Sequence, residues 1–91
     1  MKDKVRLEVM LPVTREFHEF RVPLDLTVEE GAQLIASIIA SREPTRYEAS
    51  SGVGLMHLEG PGAGIELHPL ETFRVIVECG EITDGSRLAL I

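Results

Sequence analysis

Apolar and polar positions alternate from the start of the chain. Val5, Leu7, Val9 and Leu11 are interleaved with Arg6, Glu8 and Met10, which is the period of a strand buried on one face, and Pro12 ends the run. After a turn near Val13, Thr14 and Arg15, the segment Glu16–Val22 alternates again, with Phe20 and Val22 on the inner face. His18 shares that parity and is expected to be a buried neutral imidazole, or one at the open end of the hairpin, not a ligand or catalyst. The period then changes. Thr27-Val28-Glu29-Glu30 is a capping box, and Val28, Ala32, Ile35 and Ile39 follow at helical spacing. Leu34 and Ile38 widen this stripe and are expected to be core, the alternative being a contact with a partner. Arg42 lies near the negative end of the helix dipole, and Pro44 stops the helix.

Pro44, Ser50, Ser51, Gly52 and Gly54 make residues 44–54 a connecting loop. Leu55–Leu58 and Ile65–Leu67 follow as short strand candidates joined by Gly60-Pro61-Gly62-Ala63-Gly64. That joint lacks the Lys-Ser/Thr pair of a phosphate loop and no helix pattern follows it, so it is expected to be a turn. Phe73–Val77 has the β-branched content of a strand, yet its place before Cys79-Gly80 favours a short helical turn. Asp84-Gly85 reverses the chain into a last strand whose Leu88 and Leu90 are expected at the centre of a small sheet. The expected architecture is α+β: one domain over 1–91, with a mixed sheet of four to five strands packed on one helix.

Length and composition narrow this only slightly. At 91 residues there is room for a single core, and with Phe17, Phe20, Tyr47 and Phe73 the only aromatics, Val, Leu and Ile must fill it. Charge says more. Residues 1–46 carry seven basic and eight acidic side chains, and residues 47–91 two and seven, so the second half holds five of the six net negative charges. Such a surface repels phosphate and disfavours nucleic acid, while basic protein surfaces are favoured; the plainer reading is that the charge keeps a small domain in solution. Cys79 is the sole cysteine, which fits a reducing cytoplasm. The segment before Arg6 has no signal-peptide pattern, and Leu34–Ala40 is far short of the roughly 20 apolar residues that span a bilayer, so no direct membrane insertion is expected.

No catalytic constellation emerges. Zinc would need about four close His or Cys ligands, whereas His18, His57, His68 and Cys79 are scattered. His57, Glu66 and His68 make a weak triad at best. Cys79 sits between Glu78 and Glu81, whose charges disfavour a thiolate, and there is no Gly-x-Ser-x-Gly signature. The expectation is a protein that is not an enzyme and needs no metal or cofactor. An end at Ile91, without a Gly-Gly carboxylate, also argues against a ubiquitin-type modifier or a sulfur carrier.

The order strand, strand, capped helix, loop, short strands, turn, strand resembles the ubiquitin-like β-grasp. Phe20-Arg21-Val22, the helix start at Thr27 and above all Cys79-Gly80-Glu81-Ile82-Thr83-Asp84-Gly85-Ser86-Arg87-Leu88 are similar to the YukD/EsaB family. These bacterial ubiquitin-like proteins accompany type VII (WXG100) secretion systems. The last segment resembles that family's Cys-Gly-Ile-Thr-Asn-Gly-Asp-Arg-Leu pattern with Glu81 inserted. The resemblance implies a cytoplasmic, non-catalytic accessory or regulatory protein acting by protein–protein interaction, as a monomer or weak homodimer. Its contact surface is expected on the sheet face opposite the helix, at Arg6, Glu8, Met10, Val13, Met56 or His57 by strand parity, Arg87 and Ala89; the plainer reading is that these are ordinary solvated residues. Two alternatives compete: a β-grasp auxiliary subunit of a multicomponent enzyme such as a monooxygenase, and a domain of a longer transporter-associated chain, against which the start at Met1 weighs.

Overall fold

A computed structural model describes residues 3–11, 14–42 and 53–91. The expectations at Pro12, Val13, Pro44 and loop residues 44–52 lie outside them. Strands β1 (Lys4–Met10) and β2 (Phe17–Pro23) form an antiparallel hairpin, followed by helix α1 (Val28–Arg42), β3 (Leu55–His57), helix α2 (Phe73–Glu78) and β4 (Ser86–Leu90). The sheet order is β2-β1-β4-β3, with β4 parallel to β1 and antiparallel to β3. This is the ubiquitin-like β-grasp, with the last strand in the centre. Val9 pairs with Leu88, and Leu88 and Leu90 are buried with Val5, Leu7, Leu55, Ile35 and Ile39 in one core.

The capping box forms as its chemistry requires. The Thr27 N–H donates to Glu30 Oε1 at 2.9 Å, and the Glu30 N–H donates to Thr27 Oγ1 at 3.1 Å. The backbone bond from Thr27, and then the Thr27 side chain, hold the Glu30 carboxyl below its ordinary value of 4.5. Two more free donors of this helix end meet the segment before α2: Val28 N–H bonds Glu71 O at 2.8 Å and Glu29 N–H bonds Pro69 O at 2.9 Å. Behind them Gly31 faces the buried Phe73 ring, where an added Cβ would come within 2.3 Å of Cε2. Only glycine leaves that ring its place.

One expectation holds, the helical reading of Phe73–Val77, and two change. Phe73–Glu78 is a full helical segment: Thr72 Oγ1 accepts from Val75 N–H at 3.3 Å, and Gly80, at φ 82°, follows its last turn. Its β-branched residues do not make it a strand, because burying Phe73 and Ile76 three residues apart suits a helix and leaves Val75 outside. Ile65–Leu67 is not a strand. It makes one bridge, Met56 to Glu66, and runs beside β3 through His57 N–H to Ile65 O (3.0 Å) and Leu67 N–H to Leu55 O (2.8 Å). Leu34 is not core: it is 42% exposed, because the stripe that meets the sheet ends at Ile35 and Ile39, with Ile38 packed at its margin.

Candidate functional site

The sheet face turned away from α1 is built by the polar half of each alternation, and the pairing registers stack it into rungs. Met10 lies opposite Phe17 on one side and Ala89 on the other, and Ala89 lies opposite Met56. An apolar rung therefore crosses all four strands, about 14 Å at the usual inter-strand spacing. The next rung is Glu19, Glu8 and Arg87, and the third is Arg21 and Arg6. Arg6, Glu8, Met10, Met56, Arg87 and Ala89 thus share one surface, as expected; Val13 is outside the described residues. Ala89 contributes little of its own, being 3% exposed between two methionines. Strand parity turns Met56 outward and His57 inward.

The expected patch omitted Phe17, Glu19 and Arg21. The alternation of β2 turns them outward, opposite the inward Phe20 and Val22. Phe17 is 40% exposed, and the Arg87 guanidinium carbon lies 5.1 Å from the centre of its ring. The electrostatics of the face are awkward. Glu8 stands opposite Glu19 and Arg6 opposite Arg21, two like-charged cross-strand pairs of the kind that destabilise sheets. Among the described residues only loose pairs relieve them: Arg6 to Glu19 at 3.5 Å, Arg21 to Glu19 at 3.8 Å and Arg87 to Glu8 at 3.9 Å. Beyond the third rung a shallow depression of about 350 Å³ is lined by Asp3, Lys4, Val5, Arg6, Arg21 and Asp84.

The groups weighed as catalytic do not converge. His57 Nε2 lies 3.1 Å from Glu81 Oε2, not from Glu66, and Gly62 of the glycine turn sits against its ring. His68 Nδ1 accepts from its neighbour Leu70 N–H at 3.2 Å. His18 is half-buried and lies opposite Val9 at the turn end of the hairpin, not at its open end; among the described residues its Nε2 has no partner, and it lines a cavity of about 170 Å³ with Leu11, Ile39 and Arg42. Cys79 is an exposed free thiol. Among the described residues no three His, Cys, Asp or Glu side chains gather as a metal site would require. No described helix is long and apolar enough to cross a membrane.

No family model matches the chain, and no curated protein matches it in sequence. Solved structures do. The chain is similar to the ubiquitin-like domain of the Mycobacterium tuberculosis type VII secretion system protein EccD1, with 12% identity, coverage of 100% of this chain and 99% of that one, and a TM-score of 0.67. It is similar to the EccD5 ubiquitin-like domain from Mycobacterium xenopi, with 16% identity, 99% and 94% coverage and a TM-score of 0.71. It also resembles part of a chain in the MycP5-free ESX-5 inner membrane complex, State II, with 16% identity and a TM-score of 0.75. There it covers 99% of its own length but spans only 21% of that chain. At such identities the likeness is one of fold.

Proposed function

We propose that this protein is a non-catalytic ubiquitin-like module of a type VII secretion system, acting through protein contacts made by the open face of its sheet. The observation that carries this reading is end-to-end similarity to two ubiquitin-like domains, of EccD1, which is named as a type VII secretion system protein, and of EccD5. The open face adds support, since it combines an apolar rung with unfavourable like-charge pairs that folding alone does not require. Within that class we assign the chain to the YukD/EsaB type, a cytoplasmic monomer or weak homodimer that binds a secretion component and regulates or supports export. The Cys79–Leu88 segment motivates this finer assignment.

Deleting the gene in its native host tests the reading. Export of WXG100-type substrates should fall while growth is unaffected, and wild-type protein should restore it. A doubly substituted Met10→Asp, Met56→Asp protein with native circular dichroism should not. Undiminished export in the deletion strain overturns the proposal, and co-purification in fixed stoichiometry with oxygenase subunits would establish the auxiliary-subunit alternative instead.

A further inference from the structure

The backbone phase of β2, the outermost strand, can be read from its hairpin with β1. Leu24 N–H bonds Asp3 O and Leu11 N–H bonds Glu16 O, both at 3.0 Å. Bonded pairs in an antiparallel ladder recur at every second residue, so His18, Phe20 and Val22 turn their N–H and C=O groups to β1. Phe17, Glu19, Arg21 and Pro23 turn theirs to the other side, where among the described residues no strand receives them. Pro23 brings only an acceptor. The side chains of Glu19 and Arg21, 48% and 71% exposed, occupy the middle of this edge.

From this edge we infer that β2 pairs antiparallel with β2 of a second copy of this chain, about a dyad through Phe20. Phase and charge together select that register. Because the outward backbone groups belong to odd-numbered residues, bonded partners must be odd with odd. With the dyad at Phe20, Glu19 lies opposite Arg21 of the second copy and Arg21 opposite its Glu19, while Phe17 N–H meets the carbonyl of its Pro23. A dyad at Glu19 sets glutamate against glutamate, and one at Arg21 sets arginine against arginine. The pairing also accounts for the like charges on the outer face. Within one molecule Glu19 faces Glu8 and Arg21 faces Arg6; in the pair each gains an opposite charge on its other flank. The net charge of −6 opposes self-association, yet the charges of β2 cancel, and groups more than about 8 Å away are largely screened at physiological salt. The inference rests on the proposed function only in its choice between monomer and weak homodimer, and it commits to the homodimer; the secretion role is tested separately by the deletion strain.

Sedimentation equilibrium of the full chain, from about 10 μM to about 1 mM, should show monomer giving way to dimer. Glu19→Arg or Arg21→Glu alone places like charges across the junction at both symmetric positions and should weaken the dimer at least about tenfold. Each also removes one like-charged pair with β1, so a native circular dichroism spectrum and a urea midpoint close to that of wild type are expected. An equimolar mixture of the two variants again sets opposite charges at both positions and should dimerise about as tightly as wild type. In the wild type, amide hydrogen exchange at Glu19 and Arg21 should slow as concentration rises, while Phe20, bonded to β1 in either state, should not change. A monomer at every concentration overturns the inference. So does a dimer that neither variant weakens, a loss that mixing does not rescue, or exchange at Glu19 and Arg21 that ignores concentration.

Discussion

Val9 and Met10 are consecutive residues of one strand and belong to two different surfaces. Val9 meets Leu88 under the helix and is fully buried, while Met10 joins Phe17, Ala89 and Met56 on a face that nothing in the described structure covers. On the inner face the buried neighbours are apolar and close-packed, with His18 and His57 at the margins and, among the described residues, no like-charged pair. On the outer face an apolar rung borders Glu8 facing Glu19 and Arg6 facing Arg21. The contrast teaches that the two faces answer to different demands, one to folding and the other to something beyond it.

Substitutions should separate the two faces. The largest effect belongs inside: Leu88→Ala should cost about 3 kcal/mol in urea unfolding, through lost burial and a cavity in the central strand. Gly31→Ala is next, at about 2 kcal/mol, because its Cβ collides with the buried Phe73 ring; the helix-propensity gain of alanine, about 1 kcal/mol, is too small to reverse the sign. Thr27→Ala, which removes half of the capping box, should cost about 1 kcal/mol by the same measurement. On the outer face Arg21→Ala and Met56→Ala should each stay within about 0.5 kcal/mol, and a cost near that of Leu88→Ala would erase the distinction between the faces. The smallest effect is one of pH. Because the Glu30 carboxyl is depressed in the folded protein, its contribution is present above the ordinary value of 4.5 and is lost as pH falls through the lower folded value. Acid unfolding of Glu30→Gln should accordingly lack the part of the acid limb that wild type shows below 4.5.

How much of this was legible follows from the same contrast. Strict alternation over Val5–Leu11 and the Thr27 capping box lead to β1 and α1, because each pattern is compatible with only one backbone period. The central position of β4 followed from an alternating segment that needs partners on both sides. Phe73–Glu78 was harder, since Val75, Ile76 and Val77 prefer strands, and the Thr72 cap and Phe73–Ile76 burial decided the outcome. Leu34 misled because width of an apolar stripe does not say where the sheet ends. The candidate surface was largely readable from parity, yet Phe17 escaped: an aromatic in a strand suggests core, and only the register shows it standing beside Met10 and beneath Arg87. The opposition of Arg6 to Arg21 likewise exists only once two distant segments are aligned.

The two ends of the strand order are unequal as well. Residues 65–67 run beside β3 and take up backbone groups of Leu55 and His57, whereas among the described residues no strand pairs beyond β2. A fibril of sheets laid edge to edge requires two bare margins on every copy, and the described residues leave one. Association through β2 therefore closes on itself after two molecules related by a twofold axis, and growth halts there.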